Sequence, residues 1–192
     1  MAGARTDYFS LMSPQKWRHR VFPAVGYPPI PHGKERIAYH EAGHAVASLV
    51  LGLPCHSATA ADSEGAFLGH GGMPGAVREA LTLEQKSDVL LLGCKVHQPD
   101  GDENLRKENL AIMLVAGLQA EMIFAGVSFD GAVFANDQDH YQARYLLNSA
   151  ETPPTFGYCQ LYAHRLLQEN LALVVQIASE LLRCGAWQNE NQ

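Results

Sequence analysis

Four cysteines are all that the 192-residue chain contains, at Cys55, Cys94, Cys159 and Cys184, and no two of them form a CxxC pair. That spacing excludes a disulfide framework and a cysteine-based zinc site, and predicts reduced, mostly buried thiols. Positive charge is also scarce: 14 Lys and Arg against 20 Asp and Glu give a net charge of −6. A general nucleic-acid binder needs a basic face, and the only basic run is Lys16-Trp17-Arg18-His19-Arg20, which reads as a solvated segment, so no nucleic-acid partner is expected. Long apolar runs are missing too. The longest, Ala111 to Gly126, is interrupted by Gln119 and Glu121 and falls short of the ~18 residues a membrane span requires. The N-terminus has Arg5 but no continuous apolar core after it, so no secretory leader is expected and a cytoplasmic location follows. A nucleotide-phosphate loop is lacking as well, since the one Gly-Lys pair, Gly33-Lys34, is followed by Glu35 rather than Ser or Thr.

What is present is an apolar content of 47%, enough for one cored domain. Residues 40 to 44 read His-Glu-Ala-Gly-His. On a helix, His40 and His44 lie one turn apart on one face, so both imidazoles reach one metal ion. Glu41 then falls beside the open coordination position, where a carboxylate can take a proton from a water that the metal has acidified. With nine His and twelve Glu, a shuffled chain would hold roughly 0.03 such patterns, so chance is a weak explanation. Two histidines on an ordinary helix face remain the bland alternative. The flanks favour a helix over about 34 to 51, apolar at helical spacing and stopped by Gly52 and Pro54.

Along the chain, residues 1–35 form a Pro-rich extension, and the stretch from Val21 to Gly33, with Pro23, Pro28, Pro29 and Pro31, reads as an extended connector at a domain boundary. Residues 36–187 form the main domain and 188–192 a tail. Within the domain, one short strand is expected around Gly65 to His70. A helix follows Thr82, with Val89, Leu90 and Leu92 inward, and stops near Gly93. Leu105 to Phe124 reads as a helix buried almost all round, in which the acidic Glu121 stands out. Another helix is expected from Asp139 to Ser149, opened by Asn136 and Asp137 and ended by Pro153-Pro154. A final one carries the stripe Leu167, Leu171, Val174, Ala178 and Leu181, widened by Leu182. The fold class is thus mainly α with a small β element.

A catalytic zinc has three protein ligands, so one is still to be found. Position 50 is Val50, which rules out a third His at the spacing of the extended motif. Chemistry alone offers Glu121, Asp137, Asp139 and His140, and spacing does not choose among them. His56, His70, His97 and His164 read as surface or internally satisfied histidines.

The run Ala38-Tyr39-His40-Glu41-Ala42-Gly43-His44-Ala45 resembles the zinc-site helix of the FtsH family of ATP-dependent zinc proteases. Ala116-Gly117-Leu118-Gln119-Ala120-Glu121-Met122-Ile123-Phe124-Ala125-Gly126 is similar to that family's Gly-Gly-Arg-x-Ala-Glu-Glu-x-x-x-Gly helix, and Ala135-Asn136-Asp137 to its Ser-Asn-Asp segment. Gly65-Ala66-Phe67-Leu68-Gly69 resembles its edge strand, beside which substrate lies, and Leu166 to Leu182 its final helix. The resemblance covers roughly residues 36 to 185. It implies zinc as cofactor, His40, His44 and Asp137 as ligands, Glu41 as general base, Glu121 as an outer carboxylate orienting a ligand, and Gly65, Phe67, Leu68 and Gly69 as the substrate edge. The pattern departs at Leu118 and Met122, where the family has Arg and a second Glu, and residues 76–104 look longer than their counterpart. The family's ATPase module and membrane helices have no counterpart in these residues. The expected activity is that of a stand-alone zinc metalloendopeptidase hydrolysing unfolded or short polypeptides, with a separate ATPase or unfoldase and self-association as candidate partnerships. Two other readings use the same residues: a catalytically silent zinc-binding adaptor, and a zinc hydrolase of a non-peptide amide.

Overall fold

A computed structural model describes residues 17–30, 32–60, 65–68, 81–97 and 99–190. Strand β1 is Ala24–Val25, helix α1 Lys34–Leu51, β2 Ser57–Ala60, β3 Gly65–Leu68, α2 Leu83–His97 and α3 Glu103–Phe124. They are followed by β4 Ala132–Val133, α4 Gln138–Asn148, α5 Phe156–Glu169, α6 Leu171–Cys184 and β5 Ala186–Gln188. The architecture is mainly α, as the sequence predicts. No helix among the described residues is long and apolar enough to cross a membrane.

Helix α1 occupies the span expected for the motif helix, and its end is set by Gly52, which adopts φ 69° and sends its N–H to the Ser48 carbonyl. That left-handed turn suits a residue without a Cβ. Helix α3 begins at Asp102, whose carboxylate accepts from the N–H groups of Asn104 and Leu105, a side-chain cap that satisfies otherwise orphaned donors. From Leu110 to Met122 every residue of α3 is buried, which makes it the central helix. It runs antiparallel to α1: Arg36, His40 and His44 face Glu121, Gly117 and Met113 in turn. Both sets advance by four residues, one helical turn at a time. The two backbones approach closely because Gly43 lies against Ala116 and Ala120; a Cβ at position 43 would come within 2.6 Å of the Ala116 carbonyl oxygen.

Helices α4, α5 and α6 pack around this pair. The expected final helix, Leu166 to Leu182, is two helices broken at Asn170, whose side chain donates to the Leu166 carbonyl. Leu171 is 42% exposed and Leu182 44% exposed, so neither joins the buried stripe of Leu167, Val174, Ala178 and Leu181. Helix α2 runs past Gly93 to His97 and turns Ser87, Leu90, Leu91 and Cys94 inward, whereas Leu92, expected inside, is 61% exposed.

Strand β2 sits between β3 and β5, antiparallel to both, with Ala58 opposite Phe67 on one side and Trp187 on the other. The sheet lies along α1. The expected strand is observed as Gly65–Leu68; positions 69 and 70 lie outside the described residues. Four other short strands were not foreseen.

The stretch expected to be a connector packs on the body. Arg18 pairs with Glu108 of α3 at 2.6 Å, and Thr155 donates its N–H to the Arg18 carbonyl and its hydroxyl to the Arg20 carbonyl. β1 pairs in parallel with β4, and Ile30 is buried with Leu118, Met122 and Val133. Proline fixes this stretch in an extended form, but its apolar residues still find a surface. Cys55, Cys94 and Cys159 are buried thiols and Cys184 is an exposed one, none of them in a disulfide.

Candidate metal centre

The α1–α3 ladder brings His40 and His44 together, and the first turn of α4 adds Asp139. His40 Nε2 and His44 Nε2 are 3.0 Å apart, and Asp139 Oδ2 is 3.3 Å from each. Ligand atoms at about 2.0–2.1 Å from a tetrahedral centre lie roughly 3.3 Å from one another, so this triangle has the dimensions of three ligands to one metal ion. It is the one group of three or more candidate ligands among the described residues.

The outer nitrogens fix which way the rings point. His44 Nδ1 is 2.8 Å from the Met113 carbonyl oxygen, an acceptor with no proton to give, so Nδ1 carries the hydrogen. His40 Nδ1 lies 2.6 Å from Glu121 Oε1 and donates to it in the same way. In the neutral rings both Nε2 atoms are then bare lone pairs, facing each other and a carboxylate oxygen. Three acceptors converging with no hydrogen among them call for a cation, and held imidazoles of this kind are the usual outer support of a metal ligand.

The titration of the group expresses the same demand. Burial pulls the His40 pKa down, but hydrogen bonds to Asp139 and Glu121 and the charges of Glu41 and Asp139 outweigh it and raise the ring well above 6.5. For Asp139, burial pushes the carboxyl up, while the hydrogen bonds and charges of His40 and His44 hold it far below 3.8. Each shift marks a place where positive charge is favoured.

Of the residues singled out in the sequence, His40, His44 and Glu121 come together as expected, and Glu41 is buried in the same turn of α1. The third member is corrected: Asp139, not Asp137, joins the histidines. Helix α4 starts at Gln138, so Asp137 is its cap and turns its carboxylate back to accept the His140 N–H at 2.8 Å. Its side chain is 43% exposed. His140 is also outside the triangle; its Nδ1 accepts the Ala135 N–H. Helical phase carried the missed signal. Asp139 shares a face with Gln142, Ala143 and Leu146, all buried, at i, i+3, i+4 and i+7, whereas Asp137 precedes that face.

Gly117 is a second residue whose role went unread. A Cβ there would lie 2.6 Å from His40 Nε2 and from His44 Nε2, so the space beside these two nitrogens exists only because α3 presents a glycine. An isolated glycine inside an apolar helix costs roughly 1 kcal/mol relative to alanine and asks for a reason of this kind. Of the expected substrate edge, Gly65, Phe67 and Leu68 lie in β3, the outer strand of the sheet against α1, and Gly69 lies outside the described residues. A scan against protein-family models and a search of the curated proteins each found no match.

Proposed function

We propose that the protein is a zinc-dependent metalloendopeptidase of the FtsH-peptidase type, acting on unfolded or short polypeptides. The observation that carries the reading is the triangle of His40 Nε2, His44 Nε2 and Asp139 Oδ2, set on a helix whose motif places Glu41 next to it. A set of two imidazoles and one carboxylate suits zinc and leaves one position open. When bound, the metal supplies Lewis acidity, polarising a carbonyl and bringing a water near neutral pKa.

The chain's residues supply the rest. Glu41 accepts a proton from the attacking water and passes it to the leaving amine as the C–N bond breaks. Glu121 and the Met113 carbonyl keep the two rings aimed. Among the described residues β3 pairs with β2 alone, and its other side is the edge to which an extended peptide adds as a further strand. Such a peptide must already be unfolded, and a separate ATPase would widen the range of substrates.

Metal analysis of the purified protein, combined with cleavage of unfolded casein by wild type and Glu41→Gln, tests this. About one zinc per chain is expected in both, with cleavage falling by roughly 10²–10⁴-fold in the variant, as for loss of a general base. Bound zinc with no cleavage by wild type would favour a zinc-binding adaptor; absence of zinc would overturn the site.

A further inference from the structure

Arg36 lies on α1 one turn before His40. Its Nη1 is 3.6 Å from Glu121 Oε2, while the other carboxylate oxygen of Glu121 holds His40 Nδ1 at 2.6 Å. Burial and the charges of Glu121 and Asp137 raise the Tyr27 hydroxyl above its ordinary pKa, against the opposing Arg36 guanidinium. Tyr27 belongs to the Pro-rich segment, and that segment is pinned on both sides of it: Ala24–Val25 pairs with Ala132–Val133, and Ile30 is buried against Leu118 and Met122. Pro28 and Pro29 limit the backbone between those anchors. The segment reaches, through β4, the loop that leads into Asp139.

A buried carboxylate can rotate about its last bond unless both oxygens are engaged. Glu121 is 5% exposed at its side chain, and a carboxylate engaged only by His40 would leave the imidazole free to tilt with it. We propose that Arg36 is a positioning residue of the metal centre: it fixes the Glu121 carboxylate in the orientation that aims His40 Nε2 at the ion. An ordinary helix-to-helix ion pair would contribute to stability and leave metal binding alone. The inference rests on the metal-site reading of His40, His44 and Asp139, and on no property of a peptide substrate.

Cobalt(II) binding, followed by its visible absorption and by competition with a chromophoric chelator, separates the two. The proteins compared are wild type, Arg36→Met, Arg36→Lys and Tyr27→Phe, each with its metal-free thermal unfolding. Arg36→Met is expected to weaken binding about 10–100-fold, the range for an outer partner of a ligand, with a shifted absorption band. Arg36→Lys should restore most of the affinity, because an ammonium still reaches the carboxylate. Tyr27→Phe removes one hydroxyl from a half-exposed ring, leaves the Arg36–Glu121 pair in place and should bind as wild type. Wild-type affinity and spectrum in Arg36→Met, or an equal loss in Tyr27→Phe, would overturn the inference and leave the metal site standing. Failure of wild type to bind cobalt or zinc would overturn both.

Discussion

Helices α1 and α6 are of similar length, and both lie against the core, yet they do opposite things. α6 buries Val174, Ile177, Ala178 and Leu181, a stripe that any helix with the same hydrocarbon area could supply. α1 buries nine residues, among them Glu41, His44, Gly43 and Ser48; His44 bonds the Met113 carbonyl and Gly43 lies against Ala116 and Ala120. Area is interchangeable and atomic complementarity is not. The helix with the cleaner apolar stripe is thus the one with less to say about function, and the helix with the muddled pattern carries two of the three candidate metal ligands.

That contrast breaks most sharply at the ligands. Asp139→Ala should lower metal affinity by more than the roughly 100-fold upper range for an outer partner, since it removes a ligand itself. Asp137→Ala should leave that affinity unchanged; equal losses in the two, measured by chelator competition, would reinstate Asp137. On α6, Leu181→Ala should cost about 2–5 kcal/mol in denaturant unfolding, and Leu181→Met under about 1.5 kcal/mol, with metal affinity the same in both. Gly117→Ala should act on both: about a 10–100-fold loss of metal affinity, like that of an outer partner, and about 1–3 kcal/mol of metal-free stability, because the added Cβ would stand 2.6 Å from both imidazole rings. Asp137→Ala itself should cost about 1 kcal/mol through the lost cap.

The smallest expected effect concerns His164 of α5, whose ring is bonded to Gln119 at 3.1 Å. Burial, helped by the charge of Arg165, lowers its pKa below 6.5. The folded state therefore takes up its proton later than the unfolded state. Its contribution is present above pH 6.5 and is lost as the pH falls through that value toward the folded one. His164→Gln should flatten the stability profile on the acid side, and an unchanged slope in pH-dependent urea unfolding would count against it.

The sequence made some of this legible and hid the rest for physical reasons. α1 could be bounded because Gly52 and Pro54 stop it chemically, and α3 because its apolar run had no competing period. The break at Asn170 was invisible because Leu167, Leu171 and Val174 keep helical spacing straight across it. β2, Ser57-Ala58-Thr59-Ala60, has neither bulk nor alternation, and its pairing with β5 depends on residues distant in the chain. Proline in residues 21–30 signalled extension correctly and non-packing incorrectly, since the burial of Ile30 depends on a surface made elsewhere. The two histidines and Glu121 were readable because chemistry singles out polar groups in apolar helices. The third ligand needed the helical phase of α4, which a motif of three residues does not contain.

The pairing of β2 with both β3 and β5 has a consequence in time. During synthesis β2 and β3 emerge together and can form a hairpin, while β5, whose Gln188 pairs with Ser57, is made only after every helix. Until then the hairpin has two open edges, and an extended segment of a neighbouring nascent chain can occupy the place of β5. The last strand to be translated is therefore the one that covers the open side of β2.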